Sequence, residues 1–166
     1  MYTVDLTGKN VLIFGVANQR SIAWAIAQAL YGAGARVGLT YQTDRLKEGV
    51  QNLAKEIGDA PLFQCDVSND GEVEELYEKV GETMGSLSTV VHSIAFAHRD
   101  DLGGEFSKTD REGFRIALDV SAFSLIPVVR YAAPLMTDGG TVIAMTFLAA
   151  EKVFPGYNVM GVAKAA

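Results

Sequence analysis

The chain has 166 residues, one domain's worth and enough for a sizeable core. Hydrophobic residues make up 49% and the net charge is −6, which excludes a disordered chain and argues against a nucleic-acid partner, because phosphate binding needs a basic surface. A single cysteine, Cys65, rules out an internal disulfide, fits a reducing cytoplasm and marks no metal site. No run of consecutive apolar residues approaches the ~20 needed to span a bilayer, so no membrane partner is expected. The N-terminal segment MYTVDLTGKN lacks the basic-then-apolar pattern of a signal peptide.

Short apolar runs alternate with longer amphipathic ones. Residues 10–15 (NVLIFG) read as a buried strand and 21–31 as a helix. A second strand follows at 36–41 (RVGLTY), then a helix over about 44–57, and a short strand at 61–64. Residues 70–84 form a helix with an acidic solvent face, and 88–93 (STVVHS) a fourth strand. A long helix over roughly 111–135 leads to a fifth strand at 141–146, and a last helix begins near Tyr157. Continuous apolar strands belong to a parallel sheet covered on both faces. Strict β-α alternation therefore predicts an α/β fold: a Rossmann-type, doubly wound parallel sheet of order 3-2-1-4-5 in three α/β/α layers. The chain ends inside a helix without a C-cap and leaves the fifth strand as an open edge. A single nucleotide-binding domain over 1–166, incomplete at its C-terminus, is the expectation.

The ligand crevice of such a sheet lies at the carboxyl ends of its strands. After the first strand, Gly15 permits a tight turn, and Ser21 can cap the next helix and donate to a phosphate at its N-terminus. The loop carries only one glycine of G-x-G-x-x-G, so it reads either as a phosphate loop or as a plain capped turn. At the end of the second strand the neutral Gln42 favours NADH over NADPH, although Arg45 follows nearby. Asp66, after the third strand, either accepts from an adenine amino group or simply opens a turn. His92 sits at the end of the fourth strand, where a structural role outweighs that of a base. Tyr157 and Lys164 are seven residues apart; on one helix that places them within about 20° of each other and ~10 Å apart along the axis. Facing the crevice, the pair would touch different parts of one extended ligand. Facing solvent, it would be an ordinary amphipathic helix.

Three stretches, GVANQRSIAWAIA, HSIAFA and PGYNVMGVAKAA, resemble bacterial enoyl-acyl carrier protein reductases of the short-chain dehydrogenase/reductase superfamily. The last is the most specific, since ordinary superfamily members space tyrosine and lysine more closely. The segments TYQTDRL and CDVSND are similar as well. The resemblance covers the whole chain, which lacks the C-terminal third of the family's length.

The resemblance implies roles at matching positions. Tyr157 would be the catalytic tyrosine, and Lys164 would hydrogen-bond the nicotinamide ribose. Gly15, Ser21 and Ile22 would line the pyrophosphate, Gln42 the adenosine end, Asp66 and Val67 the adenine, and Ile94 the ribose. Ala97 would touch substrate. Phe147 departs from the pattern, because the family commonly has a second tyrosine there; a phenyl ring keeps the wall of the acyl pocket but removes a hydroxyl. The implied activity is NADH-dependent reduction of a trans-2-enoyl-acyl carrier protein thioester, in a cytoplasmic homotetramer whose interfaces use the long helix and the Tyr–Lys helix. The competing readings are a carbonyl (ketoacyl) reductase of the same superfamily and a nucleotide-binding sensor without turnover.

Overall fold

The computed structural model describes residues 4–166; the first three residues of the N-terminal segment lie outside it. Five parallel strands, β1 (Asn10–Phe14), β2 (Arg36–Tyr41), β3 (Leu62–Gln64), β4 (Thr89–His92) and β5 (Thr141–Ala144), form one sheet in the order β3-β2-β1-β4-β5. Helices α1 (Ile22–Gly32), α2 (Asp44–Glu56) and α3 (Asp70–Met84) fill the first three crossovers. The short α4 (Arg99–Leu102) follows β4, and α5 (Arg111–Leu118) and α6 (Leu125–Ala132) precede β5. The last helix is α7 (Asn158–Ala165). The expected doubly wound topology is the one observed. The second strand has its predicted bounds and the other four are one or two residues shorter than predicted, while α4 carries no hydrophobic period that would reveal it.

Side-chain alternation along β1 builds the two halves of the core. Val11 and Ile13 join Val37, Leu39 and Val91 under α1 and α2, packed by Trp24, Ala27, Val50 and Leu53. Leu12 and Phe14 point the other way, against Val73, Leu76 and Val80 of α3 and Val128 and Ala132 of α6. Both faces are therefore covered, which explains why β1 is apolar at every position but its first. β5 differs: all four of its residues are exposed, including Val142 and Ile143. Among the described residues it pairs only with β4 and forms an open edge of the sheet.

The predicted long helix is helical from Arg111 to Leu135 but not uniformly so. Asp119–Phe123 forms a π turn, in which the amide of Ser124 donates to the Asp119 carbonyl five residues back. The stretch is 25 residues long with a mean hydropathy of 1.5 in its most apolar window, so length and composition alone would let it cross a bilayer. A search for consecutive apolar residues overlooks it because charged residues interrupt the run. In this fold its Val128 and Ala132 are fully buried against α3, whereas Phe123 and Ile126 are exposed on its outer side.

Leu12 is fully buried at the centre of the sheet. Leu12→Ala is expected to cost about 2–5 kcal/mol of unfolding free energy, the usual penalty of a core cavity. Denaturant titration measures this, and a loss below about 1 kcal/mol would show that the layer packing is not as described.

Candidate functional site

Pairing of Phe14 with His92 brings the loops after β1 and β4 side by side. Gly15 there has φ +99°, and a Cβ on it would stand 1.9 Å from the Ser93 carbonyl oxygen. Only glycine fits, in both conformation and space. The two backbones form the floor of a cavity of about 210 Å³, walled by Val16, Ala17, Gln42, Val67 and Ile94 among others. It lies over the carboxyl ends of β1, β2, β3 and β4, at the point where strand order reverses, where this architecture binds dinucleotides.

The loop into α1 braces itself. The Ser21 hydroxyl oxygen accepts from the amides of Ala17 and Asn18, both at 3.1 Å, and does not cap the helix as expected. Its proton stays available to a ligand oxygen. The first amides of α1 have no acceptor within the helix, so its N-terminus offers donors and a positive dipole end. Ile22 stands at that end, 64% exposed.

At the adenosine end Gln42 and Asp66 meet. The Gln42 amide donates to Asp66 Oδ2 at 3.0 Å, while Asp66 Oδ1 accepts from the Ser68 amide and hydroxyl. Burial opposes ionisation of Asp66, but these hydrogen bonds outweigh it and hold the carboxyl below its ordinary range. Asp66 thus opens a turn, and its second oxygen is taken by Gln42, which lines the cavity. Its neighbour Cys65 lines the cavity as an unreactive thiol, pushed up to about 12 by burial and by the Glu72 and Asp66 charges.

His92 is 2% exposed, and its Nε2 lies 2.8 Å from the Ser124 hydroxyl. That hydroxyl donates to the Val120 carbonyl, so Nε2 carries the proton in this pair. Burial first, and the Lys164 charge second, push His92 down to about 4. A ring so enclosed is a structural donor.

Lys164 turns inward. Its ammonium donates to the Ile94 carbonyl at 2.6 Å and the Ser121 carbonyl at 2.9 Å. An ammonium has three N–H groups, so one is left for a ligand beside Ile94, at the cavity wall. Burial lowers the Lys164 pKa from its ordinary value. The Thr146 hydroxyl, just beyond β5, donates to the Lys164 backbone carbonyl and ties α7 to the sheet.

Tyr157 turns elsewhere. It precedes α7 instead of lying within it, and Asn158 after it has φ +22°, so helical periodicity does not set its direction. Its ring packs 5.3 Å from that of Phe147 and 6.4 Å from that of Phe154, and it is 46% exposed. It lines an outer cleft with residues 149–154 and the outer face of α7, while Lys164 faces the sheet. Ala97 packs between these regions, against Ala117, Val159 and Ala163. The structure therefore gathers Gly15, Gln42, Val67 and Ile94 into one cavity, joins Lys164 to it through Ile94, and sets Phe147 beside Tyr157 at some remove. Sequence reasoning missed Ser121, whose carbonyl receives Lys164, and Asn158, whose amide donates to the Gly103 carbonyl at 2.8 Å. Neither stands out in the sequence by periodicity or motif.

Fold and cavity define a Rossmann-type domain with its crevice at the topological switch point. A sequence model of the enoyl-(acyl carrier protein) reductase family matches residues 15–166, and the chain belongs to that family. It is 45% identical over 163 residues to the Bacillus subtilis enoyl-[acyl-carrier-protein] reductase [NADH] FabI, covering 97% of this chain and 63% of that one. It is 43% identical over 164 residues to the [NADPH] FabI of Staphylococcus aureus, covering 98% of this chain and 64% of that one. The Bacillus cereus enoyl-acyl carrier protein reductase, solved with NADP+ and an indole naphthyridinone, superposes with a TM-score of 0.94 at 47% identity, covering 97% of this chain and 64% of that one. The chain thus spans just under two thirds of the length of these relatives.

The buried His92 has a consequence for stability. Above its ordinary value of 6.5 the ring is neutral both folded and unfolded. As pH falls below that, the unfolded chain takes up a proton that the folded protein refuses until about 4. Stability attached to His92 is therefore complete above 6.5 and is lost as pH drops toward 4, on the order of 3 kcal/mol in all. Denaturant titrations of the wild type and His92→Gln across this range isolate the effect. Equal slopes for the two proteins would show that the imidazole is not held neutral.

Proposed function

We propose that the protein reduces trans-2-enoyl-acyl carrier protein thioesters with NADH, as part of fatty acid synthesis. The observation that carries this reading is the Lys164 ammonium, fixed at the wall of the switch-point cavity with one N–H to spare. Family membership supplies the reaction class. The cavity suits a dinucleotide, because Gly15 and Ser93 keep its floor free of side chains and the N-terminus of α1 offers amides to a pyrophosphate. Gln42 brings no charge to a 2′-phosphate and is already committed to the Asp66 carboxylate, which favours NADH over NADPH. In this reading Ser21 and Ile22 lie along the pyrophosphate, Asp66 and Val67 at the adenine, and Ile94 and Lys164 at the nicotinamide ribose.

When bound, NADH supplies the hydride that adds to the β-carbon of the enoyl group. Negative charge then develops on the thioester oxygen, and a proton from solvent added at the α-carbon completes the saturated thioester. The Tyr157 hydroxyl donates to that oxygen and stabilises charge present mainly in the transition state, where such a donor lowers the barrier. Phe147 beside it offers an apolar wall and no hydroxyl, so Tyr157 is the phenol of this pair. Lys164 orients the ribose and adds a positive field. Ala97 lies where the acyl group would pass.

The same reading makes the protein a cytoplasmic homotetramer without membrane or nucleic-acid partners. The exposed Phe123 and Ile126 on the outer side of the long helix are surfaces that such an assembly would cover.

Tyr157→Phe is expected to lower turnover by about two orders of magnitude or more, the usual cost of removing one charge-stabilising donor, while NADH affinity holds. Steady-state kinetics beside NADH fluorescence titration measures both, and equal loss of both would remove the role of the hydroxyl. Lys164→Ala is expected mainly to weaken NADH binding; unchanged affinity would refute the ribose contact. Crotonyl and acetoacetyl thioesters assayed side by side separate this reading from its rivals. Preference for acetoacetyl thioester would indicate a carbonyl reductase, and tight NADH binding without any oxidation would indicate a sensor.

A further inference from the structure

We propose that Glu72, in the first turn of α3, is a positioning residue that fixes the Asp66 carboxylate and so sets the preference of the cavity for a 6-aminopurine. This rests on the reading of the switch-point cavity as the cofactor site. Glu72 follows the N-cap Asn69 by three residues, the spacing at which a glutamate ordinarily reaches back to the N-cap amide. Here that amide is taken, because Asn69 donates it to the Asp66 carbonyl at 3.1 Å. The glutamate reaches three residues further instead. Its Oε2 accepts from the Asp66 amide at 2.9 Å and its Oε1 from the Asn69 side-chain amide at 3.2 Å, while Asn69 Oδ1 accepts from the Gly71 amide. The backbone of Asp66 is thereby held at both ends, its amide by Glu72 and its carbonyl by Asn69.

What Glu72 holds is an acceptor with one place left. An ionised carboxylate has about four acceptor positions. Ser68 fills two on Oδ1, with its amide and its hydroxyl, and Gln42 fills one on Oδ2. The remaining position is on Oδ2 beside Gln42, which lines the cavity together with Cys65 and Val67, the two chain neighbours of Asp66. A 6-amino group on a purine can donate there. A 6-oxo group presents an oxygen to the same carboxylate, and both are then left unpaired. Such a choice depends on direction, and the carboxylate keeps its direction only while the peptide plane before Asp66 is fixed. Glu72 touches no ligand in this scheme; it acts through Asp66. Asp70, exposed in the same first turn, carries the same charge and supplies a control for the helix dipole.

The test compares wild type, Glu72→Ala, Glu72→Gln and Asp70→Ala. The readouts are the NMR signal of the Asp66 amide and the dissociation constants of NADH and of its deamino analogue, in which hypoxanthine replaces adenine. In the wild type a slowly exchanging Asp66 amide is expected, coupled across the hydrogen bond to the Glu72 carboxylate carbon. NADH should bind about tenfold more tightly than the analogue, the worth of one good hydrogen bond. Glu72→Ala should abolish the coupling and bring the two constants together. Glu72→Gln keeps an acceptor without the charge and should retain both the coupling and the preference. Asp70→Ala should leave both unchanged. If Glu72→Ala weakens the two dinucleotides equally and keeps their ratio, or if the wild type lacks the coupling, the positioning role is refuted. The wild-type coupling and ratio need no substitution, so either can overturn the proposal even should Glu72→Ala fail to fold. Equal binding of both dinucleotides by the wild type would refute the amino-group contact and leave the cofactor reading standing, whereas binding of neither would overturn the cofactor reading and the proposal with it.

Discussion

An ammonium taken out of water must find oxygen acceptors or give up its proton. Lys164 finds them in two backbone carbonyls, from the segment after β4 and from the π turn between α5 and α6. Three separate parts of the chain therefore converge on a single charge. α7 lies against the sheet because its lysine reaches inward, its backbone is held by Thr146, and Gly161 leaves room for the Ala149 carbonyl, 2.9 Å from where a Cβ would stand. Burial lowers the pKa of the lysine, and the Lys164 charge in turn helps to keep His92 neutral. The imidazole and the ammonium thus share a single electrostatic setting, with the imidazole giving way.

The rest of the site divides around that point. On one side lies the cavity over Gly15 and Ser93, with a floor of backbone and walls that include Tyr41, Leu46, Ile94 and Phe96. Beside it stand the free amides at the N-terminus of α1 and the self-braced hydroxyl of Ser21, donors that the net negative charge of the chain does not cancel. On the other side Tyr157, Phe147 and Phe154 form a loose aromatic group, half-open to solvent. Asn158 anchors it by reaching back to the Gly103 carbonyl from a backbone conformation that asparagine tolerates better than most residues. The inner half is rigid and hydrogen-bonded, whereas the outer half is apolar and exposed, as is the β5 edge beside it.

Much of this was legible in the residues. Unbroken apolar strands alternating with amphipathic helices led to the order 3-2-1-4-5, because a parallel sheet covered on both faces leaves few alternatives. Gly15, Gln42, Val67 and Ile94 fall in one cavity for the same reason: strand order and direction carry the ends of β1, β2, β3 and β4 to a common edge. The sequence could not show that Gln42 bonds to Asp66, that Ser21 turns back on its own loop, or that Tyr157 lies outside the helix whose period was used to orient it.

By itself, then, the amino-acid sequence determined the architecture and the location of the crevice, since both follow from hydrophobic period and right-handed crossovers. Tertiary structure alone decided where the charged and aromatic groups point. Those directions depend on single backbone events, the π turn at Asp119–Phe123 and the positive φ of Asn158, and on partners tens of residues distant in the chain. Neither leaves a periodic trace, because each is set by packing against other elements and not by the local order of polar and apolar residues.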